Sequence, residues 1–327
     1  MIAGRRGWRR VVMAASAVVV PLVALAVPSQ GATAATVPGP SGWNIVTSPS
    51  SGEPGDIVLG STCANAVECW TVGTTVTGLG TNPDKQFTPL IEQWNGATWS
   101  LAAVPASAAV HGGFFDVTCV SIADCWAVGT MLAGQGGQPT GTLAAHWNGT
   151  AWSIVSTPNP TGASGALLQG VTCVTTSDCW AVGYTTTATG GNESTLLVEQ
   201  WNGSAWSIEP AAPSGQAYDE LVAVDCSGPA DCWAVGSAGP NQEKSTFLPI
   251  FPGGQGDQGL IEHWNGTTWS IVPSYQAATP DGSYLSSVTC VTGTDCWAAG
   301  SSTNSSGKAG TTLAERWNGS SWSVVAT

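Results

Sequence analysis

The sequence predicts an all-β fold, a β-propeller of four-stranded antiparallel blades: five blades on the simplest count, six if a terminal strand begins another. Three observations carry that expectation. A Cys-x5-Cys-Trp stretch followed by a Trp-Asn-Gly-x-x-Trp stretch recurs five times, at a period of about 50 to 60 residues, which points to propellers, solenoids or arrays. Charged residues make up only 9% of the chain while Gly, Ser and Thr abound, which suits short strands and turns rather than long helices. Each repeat also holds four short strand-like runs, and a four-stranded meander buries both faces only against neighbours, as blades packed around an axis do. A β-solenoid would repeat every ~20 to 30 residues. Immunoglobulin-like modules would be longer and set their cysteines much farther apart.

The third repeat shows the elements in order. Val171-Thr172-Cys173-Val174 is strand A, Cys179 to Tyr184 strand B, Leu196 to Trp201 strand C, and Ala205-Trp206-Ser207-Ile208 strand D. Thr176-Ser177-Asp178 are turn formers between A and B. Strands C and D meet at Asn202-Gly203, a dipeptide that tolerates the positive φ of a tight primed hairpin turn and recurs in every repeat. The tryptophans Trp70, Trp126, Trp180, Trp233 and Trp297 on strand B, with the pairs Trp94/Trp99, Trp147/Trp152, Trp201/Trp206, Trp264/Trp269 and Trp317/Trp322 on C and D, fit the spaces between blades. A residue present in every blade is most simply part of the blade, so packing is preferred over sugar platforms. The propeller is expected to close into a wheel. Trp43-Asn44-Ile45-Val46 resembles an additional D strand, and either it or Trp322-Ser323-Val324-Val325 completes the blade that closes the ring.

The amino terminus has the plan of an export signal: Arg5, Arg6, Arg9 and Arg10, an apolar run from Val11 to Val27, then small residues around Ala32-Thr33-Ala34. Residues 1–35 are expected to be a signal peptide cleaved near Ala34 or Ala35, residues 36–41 a short linker, and residues 42–327 a single propeller domain. Pro21 and the lack of a stop-transfer pattern argue against a retained anchor. The general secretory route is the default, with Arg9-Arg10 the only hint of twin-arginine export.

Cleavage leaves four basic residues against 21 acidic ones, a net charge near −17. Such a chain will not bind nucleic acid or anionic lipid by general electrostatics, since both need a basic surface. In an exported protein the ten cysteines are expected to be oxidised as Cys63/Cys69, Cys119/Cys125, Cys173/Cys179, Cys226/Cys232 and Cys290/Cys296, each pair stapling the base of its hairpin. Zinc sites show tighter Cys spacing with further ligands nearby, and His111, His146 and His263 take no fixed place in the repeat on this reading. No metal, cofactor or catalytic set is expected.

Length variation lies in the B-to-C connection, where Gly236 to Leu260 spans 24 positions against 13 to 17 in the other repeats. In a meander the B-to-C and D-to-A connections share one end of every blade, and loops on a rigid scaffold are where binding resides. That face is the expected functional surface. Its largest feature is the fourth-repeat insertion Ser237–Gly259, with Phe247, Leu248, Ile250, Phe251 and Asp257 as candidate contact residues. An acid precedes the second cysteine throughout (Glu68, Asp124, Asp178, Asp231, Asp295) and is expected to shape the turn by bonding backbone. Another acid recurs on strand C as Glu92, Glu199, Glu262 and Glu315, with Ala145 in the second repeat. Neither ring of acids forms the single asymmetric site an enzyme needs.

The combined pattern, Val-Thr-Cys and Asp-Cys-Trp-Ala-Val-Gly followed by Leu-x-Glu-x-Trp-Asn-Gly-x-x-Trp-Ser, resembles secreted tandem-repeat propeller proteins common in actinobacteria, over about Gly42 to Thr327. It is more distantly similar to kelch-type and sialidase-type propellers. The sialidase Asp-box is not met, because the Asp position holds the strand-C tryptophan. In its near-identical blades it also looks like propeller lectins, and that likeness implies a monomeric extracellular binding protein for a glycan or protein ligand. The enzyme alternative, a propeller glycoside hydrolase or polysaccharide lyase, requires converging carboxylates that no pair in the sequence announces. A third reading is a cell-surface scaffold held by protein contacts through the fourth-repeat loop.

Overall fold

The computed structural model describes residues 46–52, 55–77, 86–105, 111–133, 138–187, 193–240, 257–275, 282–303 and 309–326. Every regular element among them is a strand. Blade 1 comprises β1 (Asp56–Asn65), β2 (Glu68–Thr77), β3 (Gln86–Trp94) and β4 (Trp99–Leu101). Blade 2 continues with β5 (Gly112–Ser121), β6 (Asp124–Leu132), β7 (Pro139–Trp147) and β8 (Trp152–Val155). Blade 3 is β9 (Ala163–Thr175), β10 (Asp178–Thr187), β11 (Ser194–Trp201) and β12 (Trp206–Glu209). Blade 4 is β13 (Tyr218–Gly228), β14 (Asp231–Gly239), β15 (Gln258–Trp264) and β16 (Trp269–Ile271). Blade 5 is β17 (Gly282–Thr292), β18 (Asp295–Thr303), β19 (Ala309–Trp317) and β20 (Trp322–Val324).

Within each blade the four strands pair antiparallel in chain order, the expected meander. Blades 3 and 4 also share one parallel bridge, Ser194 opposite Tyr218, held by Ser194 N–H donating to the Ala217 carbonyl at 3.0 Å. The fold is therefore all-β, with four-stranded blades and one mixed junction.

Local chemistry explains the recurrent motif. The cysteines sit directly opposite one another across the A–B ladder. All five disulfides form as expected, Cys63–Cys69, Cys119–Cys125, Cys173–Cys179, Cys226–Cys232 and Cys290–Cys296, with Cα separations of 3.9 to 4.0 Å. The expectation of a staple at the hairpin base is nevertheless too narrow for the second cysteine of each pair. Cys125, Cys179, Cys232 and Cys296 are fully buried, and each belongs to the apolar cluster between its blade and the one before. Cys69 of blade 1 is 9% exposed and belongs to no such cluster among the described residues. A half-cystine on strand B points into the blade contact because it alternates with residues on the other face of the sheet.

The strand-B glycine is forced by close approach. A Cβ on Gly73, Gly129, Gly183, Gly236 or Gly300 would lie 1.9 to 2.0 Å from a strand-A carbonyl oxygen, beside a bulge in that strand. The C–D hairpin differs from the expected turn. Trp94 pairs with Trp99, which leaves four loop residues rather than two. Gly96 takes φ +88°, while Asn95 Oδ1 accepts from the N–H groups of Ala97 and Thr98 at 3.0 and 2.9 Å. Asparagine is there to cap backbone donors with its side chain.

The core lies between blades. One cluster joins Trp70, Val72 and Ile91 of blade 1 to Phe114, Leu143 and Trp152 of blade 2, and three equivalent clusters join blades 2 to 3, 3 to 4 and 4 to 5. In each, the strand-B tryptophan enters the C/D pair of the following blade. Its ring lies 4.7 Å from the strand-C ring at 51 to 55°, and 5.1 to 5.2 Å from the strand-D ring at 81 to 89°. Edge-to-face and tilted contacts of this kind suit the ring quadrupoles. Carboxylates lace the A strands: Asp116 accepts from Val171 N–H at 2.9 Å, and Asp225 from Cys290 N–H at 2.7 Å.

Among the described residues, the close contact between blades 5 and 1 that would complete the wheel is not seen. The A strands pack in the order β1, β5, β9, β13, β17, but among the described residues β17 does not pack against β1 in the same way. Trp297 is 37% exposed, whereas its four counterparts are 0 to 1% exposed. The Trp94/Trp99 pair of blade 1, 5.7 Å apart, correspondingly receives no strand-B tryptophan among the described residues. The extra D strand expected at Trp43–Val46 lies outside the described residues except for Val46, which is exposed and not in a strand.

Candidate binding site

The two rings of acids prove to be structural, each in a way that spacing alone conceals. The acid before the second cysteine bonds the residue that precedes the strand-C tryptophan, not the turn backbone. The pairs are Glu68–Gln93 (3.1 Å), Asp124–His146 (2.8 Å), Asp178–Gln200 (3.0 Å), Asp231–His263 (2.7 Å) and Asp295–Arg316 (2.9 Å). His146 and His263 thus do share a repeat position, contrary to the sequence expectation. Each lies over the strand-B tryptophan of its own blade, with centroids 4.5 and 4.1 Å apart.

The strand-C glutamates are buried and face the linker that enters their blade. Ala212 N–H donates to Glu262, and Tyr275 N–H to Glu315, both at 3.1 Å. Each donor lies six residues beyond a strand-D tryptophan. In the linker entering blade 1 that place is Pro49, which has no N–H, and the neighbouring Ser48 hydroxyl donates to Glu92 instead. In the linker entering blade 2 it is Pro105, preceded by Val104, and there the glutamate is replaced by Ala145. Glu199 is the exception. Its linker offers Pro158 and Thr157, Thr157 bonds Thr142, and neither carboxyl oxygen of Glu199 has a partner among the described residues. Burial pushes this carboxyl up to about 8.

What remains for binding is asymmetric, and it lies over blade 4 on the face of unequal loops. A cavity of about 460 Å³ is walled by Ser214 and Gln216 from the linker entering the blade, Pro240 and Gln258 at the two flanks of the insertion, Ile271 at the end of β16 and Ser274 from the linker leaving the blade. Amide and hydroxyl groups therefore face apolar carbons, with no cation in the lining among the described residues. Two pairs of acids lie nearby, Glu220 with Asp257 and Glu262 with Asp219, of which the sequence singled out Asp257 and Glu262 but not Glu220 and Asp219. Glu220, bonded by the Ser237 hydroxyl at 2.9 Å, is pushed up to about 7 by burial, with the charge of Asp257 adding. Burial likewise lifts Glu262 to about 7 against its bond from Ala212, with Asp219 adding. Asp219 is held by Ser214 N–H at 3.0 Å. Strand β13 supplies Asp219 and Glu220, the insertion flank Asp257 and β15 Glu262, two pairings that no linear spacing reveals. Among the described residues no three metal-ligating side chains converge.

Of the candidate contact residues, Phe247, Leu248, Ile250 and Phe251 lie outside the described residues. Asp257 is 6% exposed, and its carbonyl accepts from Ser283 N–H at 2.8 Å. The half-cystines Cys69, Cys125, Cys179, Cys232 and Cys296 are buried inside or between blades, so they support the scaffold and offer nothing to a ligand.

No protein-family model matches the chain, and no curated protein is similar to it. Solved structures are. A protein of unknown function from Dyadobacter fermentans is 13% identical, with 83% of each chain covered and a TM-score of 0.52. A PL25 polysaccharide lyase, an ulvan lyase, is 11% identical over 81% of this chain and 68% of its own, with a TM-score of 0.50. The chain is a β-propeller. At these identities the likeness speaks for fold alone.

Proposed function

We propose that this protein is a secreted, non-enzymatic binding propeller that holds a neutral glycan over blade 4, on the face formed by the B-to-C and D-to-A loops. The observation that carries the reading is the 460 Å³ cavity, whose hydroxyl and amide side chains stand against apolar carbon, a lining suited to sugar hydroxyls and ring C–H groups. The acidic chain, with no cation in that lining among the described residues, disfavours anionic polymers. The five disulfides are consistent with an extracellular location. Residues 1–35 as signal peptide, residues 36–41 as linker, a monomeric state and the lack of nucleic-acid or membrane partners after cleavage belong to the same proposal. So does the contribution of Phe247, Leu248, Ile250 and Phe251 to the rim.

A glycan array and wall-polysaccharide pulldown with the mature protein test it. Binding to neutral glycans is expected, and Gln216→Ala with Gln258→Ala should abolish it. Uniform failure to bind would overturn the glycan reading. If instead a surface protein is captured and lost on deleting residues 243–256, the ligand is a protein.

One observation favours an enzyme as the second reading: the charge of Asp257 bears on Glu220, and burial keeps the Glu220 carboxyl protonated up to about neutrality. Polysaccharide cleavage by the parent but not by Glu220→Gln would establish it.

A further inference from the structure

Five Asn-Gly peptides stand exposed at the C–D turns, Asn95-Gly96, Asn148-Gly149, Asn202-Gly203, Asn265-Gly266 and Asn318-Gly319, and the chain contains no other. An asparagine followed by glycine is open to attack by its own chain, because glycine has no Cβ to shield the backbone nitrogen that attacks. That nitrogen bonds to the asparagine Cγ while the Cγ–Nδ2 bond breaks. Nδ2 leaves as ammonia with the proton that the glycine nitrogen gives up, and a five-membered succinimide remains. Water then opens the ring at either carbonyl, to aspartate or to isoaspartate, whose main chain is one carbon longer.

The fold holds the five turns alike except at one atom. All five glycines take φ of +88 to +91°. Each asparagine N–H donates to the carbonyl three residues on, at 3.2 to 3.3 Å. Each asparagine Oδ1 accepts from the N–H groups two and three residues on, at 2.9 to 3.0 Å. In four turns a hydroxyl adds a third bond to that oxygen: Thr150, Ser204, Thr267 and Ser320 donate to it at 2.7 to 2.8 Å. Blade 1 has Ala97 at that place, so Asn95 Oδ1 is held by two donors where its counterparts are held by three. To present Cγ to the glycine nitrogen the amide must turn out of this cap, and each donor on Oδ1 opposes the turn.

We infer that the C–D turn of blade 1 is a self-modification site, at which Asn95 converts to aspartate and isoaspartate ahead of its four counterparts. Trp94 precedes Asn95 directly and pairs with Trp99 across the turn, so the additional carbon of an isoaspartate falls beside that tryptophan pair. The site lies on the opposite end of the blades from the blade 4 cavity and depends on no ligand.

The test is incubation of the folded protein in mildly alkaline buffer, sampled over time and mapped by peptide mass spectrometry, with isoaspartate labelled by an isoaspartyl methyltransferase. Asn95 should convert roughly fivefold faster than each of the other four, the effect of one net hydrogen bond. In the reduced, denatured chain all five should convert at comparable rates, which assigns the order to the fold. Ala97→Thr should slow Asn95 to the rate of Asn148, and Thr150→Ala should raise Asn148 to the rate of Asn95. Both substitutions fall on exposed turn residues outside the core, so the variants keep the fold. The inference is overturned if Asn95 is not the first to convert, if either substitution leaves its site's rate unchanged, or if the denatured chain shows the same order.

Discussion

Trp180 and Trp297 hold the same place in their repeats, yet one is the centre of a blade contact and the other faces solvent. Trp180 is closed over by Trp264 and Trp269 of the next blade, at 4.7 and 5.2 Å. Trp297 instead carries the guanidinium of Arg316 at 5.3 Å from its ring centre, itself bonded to Asp295. The neighbouring position changes with it. Val182 sits in the blade 3–4 core, while its counterpart Ala299 is exposed. The difference teaches that a repeat residue's role is set by the blade packed against it. Cys69 makes the same point at the other end, since it lacks the cluster that encloses Cys125 and Cys232.

The comparison breaks most sharply under truncation. Trp180→Ala should cost about 3 to 5 kcal/mol of stability in urea denaturation, and Trp297→Ala about 1 kcal/mol. Equal losses would mean that the fifth contact forms in solution. The next effect is a pH dependence confined to the interior. Because the Glu199 carboxyl is raised in the fold above its unfolded value, its stabilising protonated form is fully present below about pH 4.5 and lost as the pH rises through about 8. Parent stability should therefore fall relative to Glu199→Gln by on the order of 3 kcal/mol across that window, measured as paired denaturation curves at several pH values.

Disulfides sharpen the comparison by discriminating little. Replacing Cys173 and Cys179 together by Ala, or Cys290 and Cys296, should cost about 2 kcal/mol in either blade, since each bond closes a local loop and each second cysteine is packed against the preceding blade. A loss confined to blade 3 would tie the bond to the contact with the next blade instead. Smallest is Arg316→Ala. The urea midpoint should barely move, while emission from the more hydrated Trp297 shifts to the red.

Much of this organisation was legible in the chain. Blade number, strand order, cystine pairing and the face bearing unequal loops arise from a motif recurring at near-constant spacing, because hairpins and their disulfides are local. The blade 3 strands match the expected ones, with β9 extended toward its start to Ala163. Partners across blades were not legible. Asp178 gave no sign of its bond to Gln200, 22 positions on, nor Glu262 of its bond to Ala212, 50 positions back. The pairing of His146 and His263 by repeat position was present in the sequence and missed, because histidine shares the place with glutamine and arginine.

By itself, then, the sequence determined the repeating unit: two hairpins, one cystine and three tryptophans in every repeat. Only the tertiary structure decided which tryptophans are covered, which carboxyls keep a proton, and where the cavities open. Those properties depend on distances between blades, and contacts between residues far apart in the chain leave no period along it.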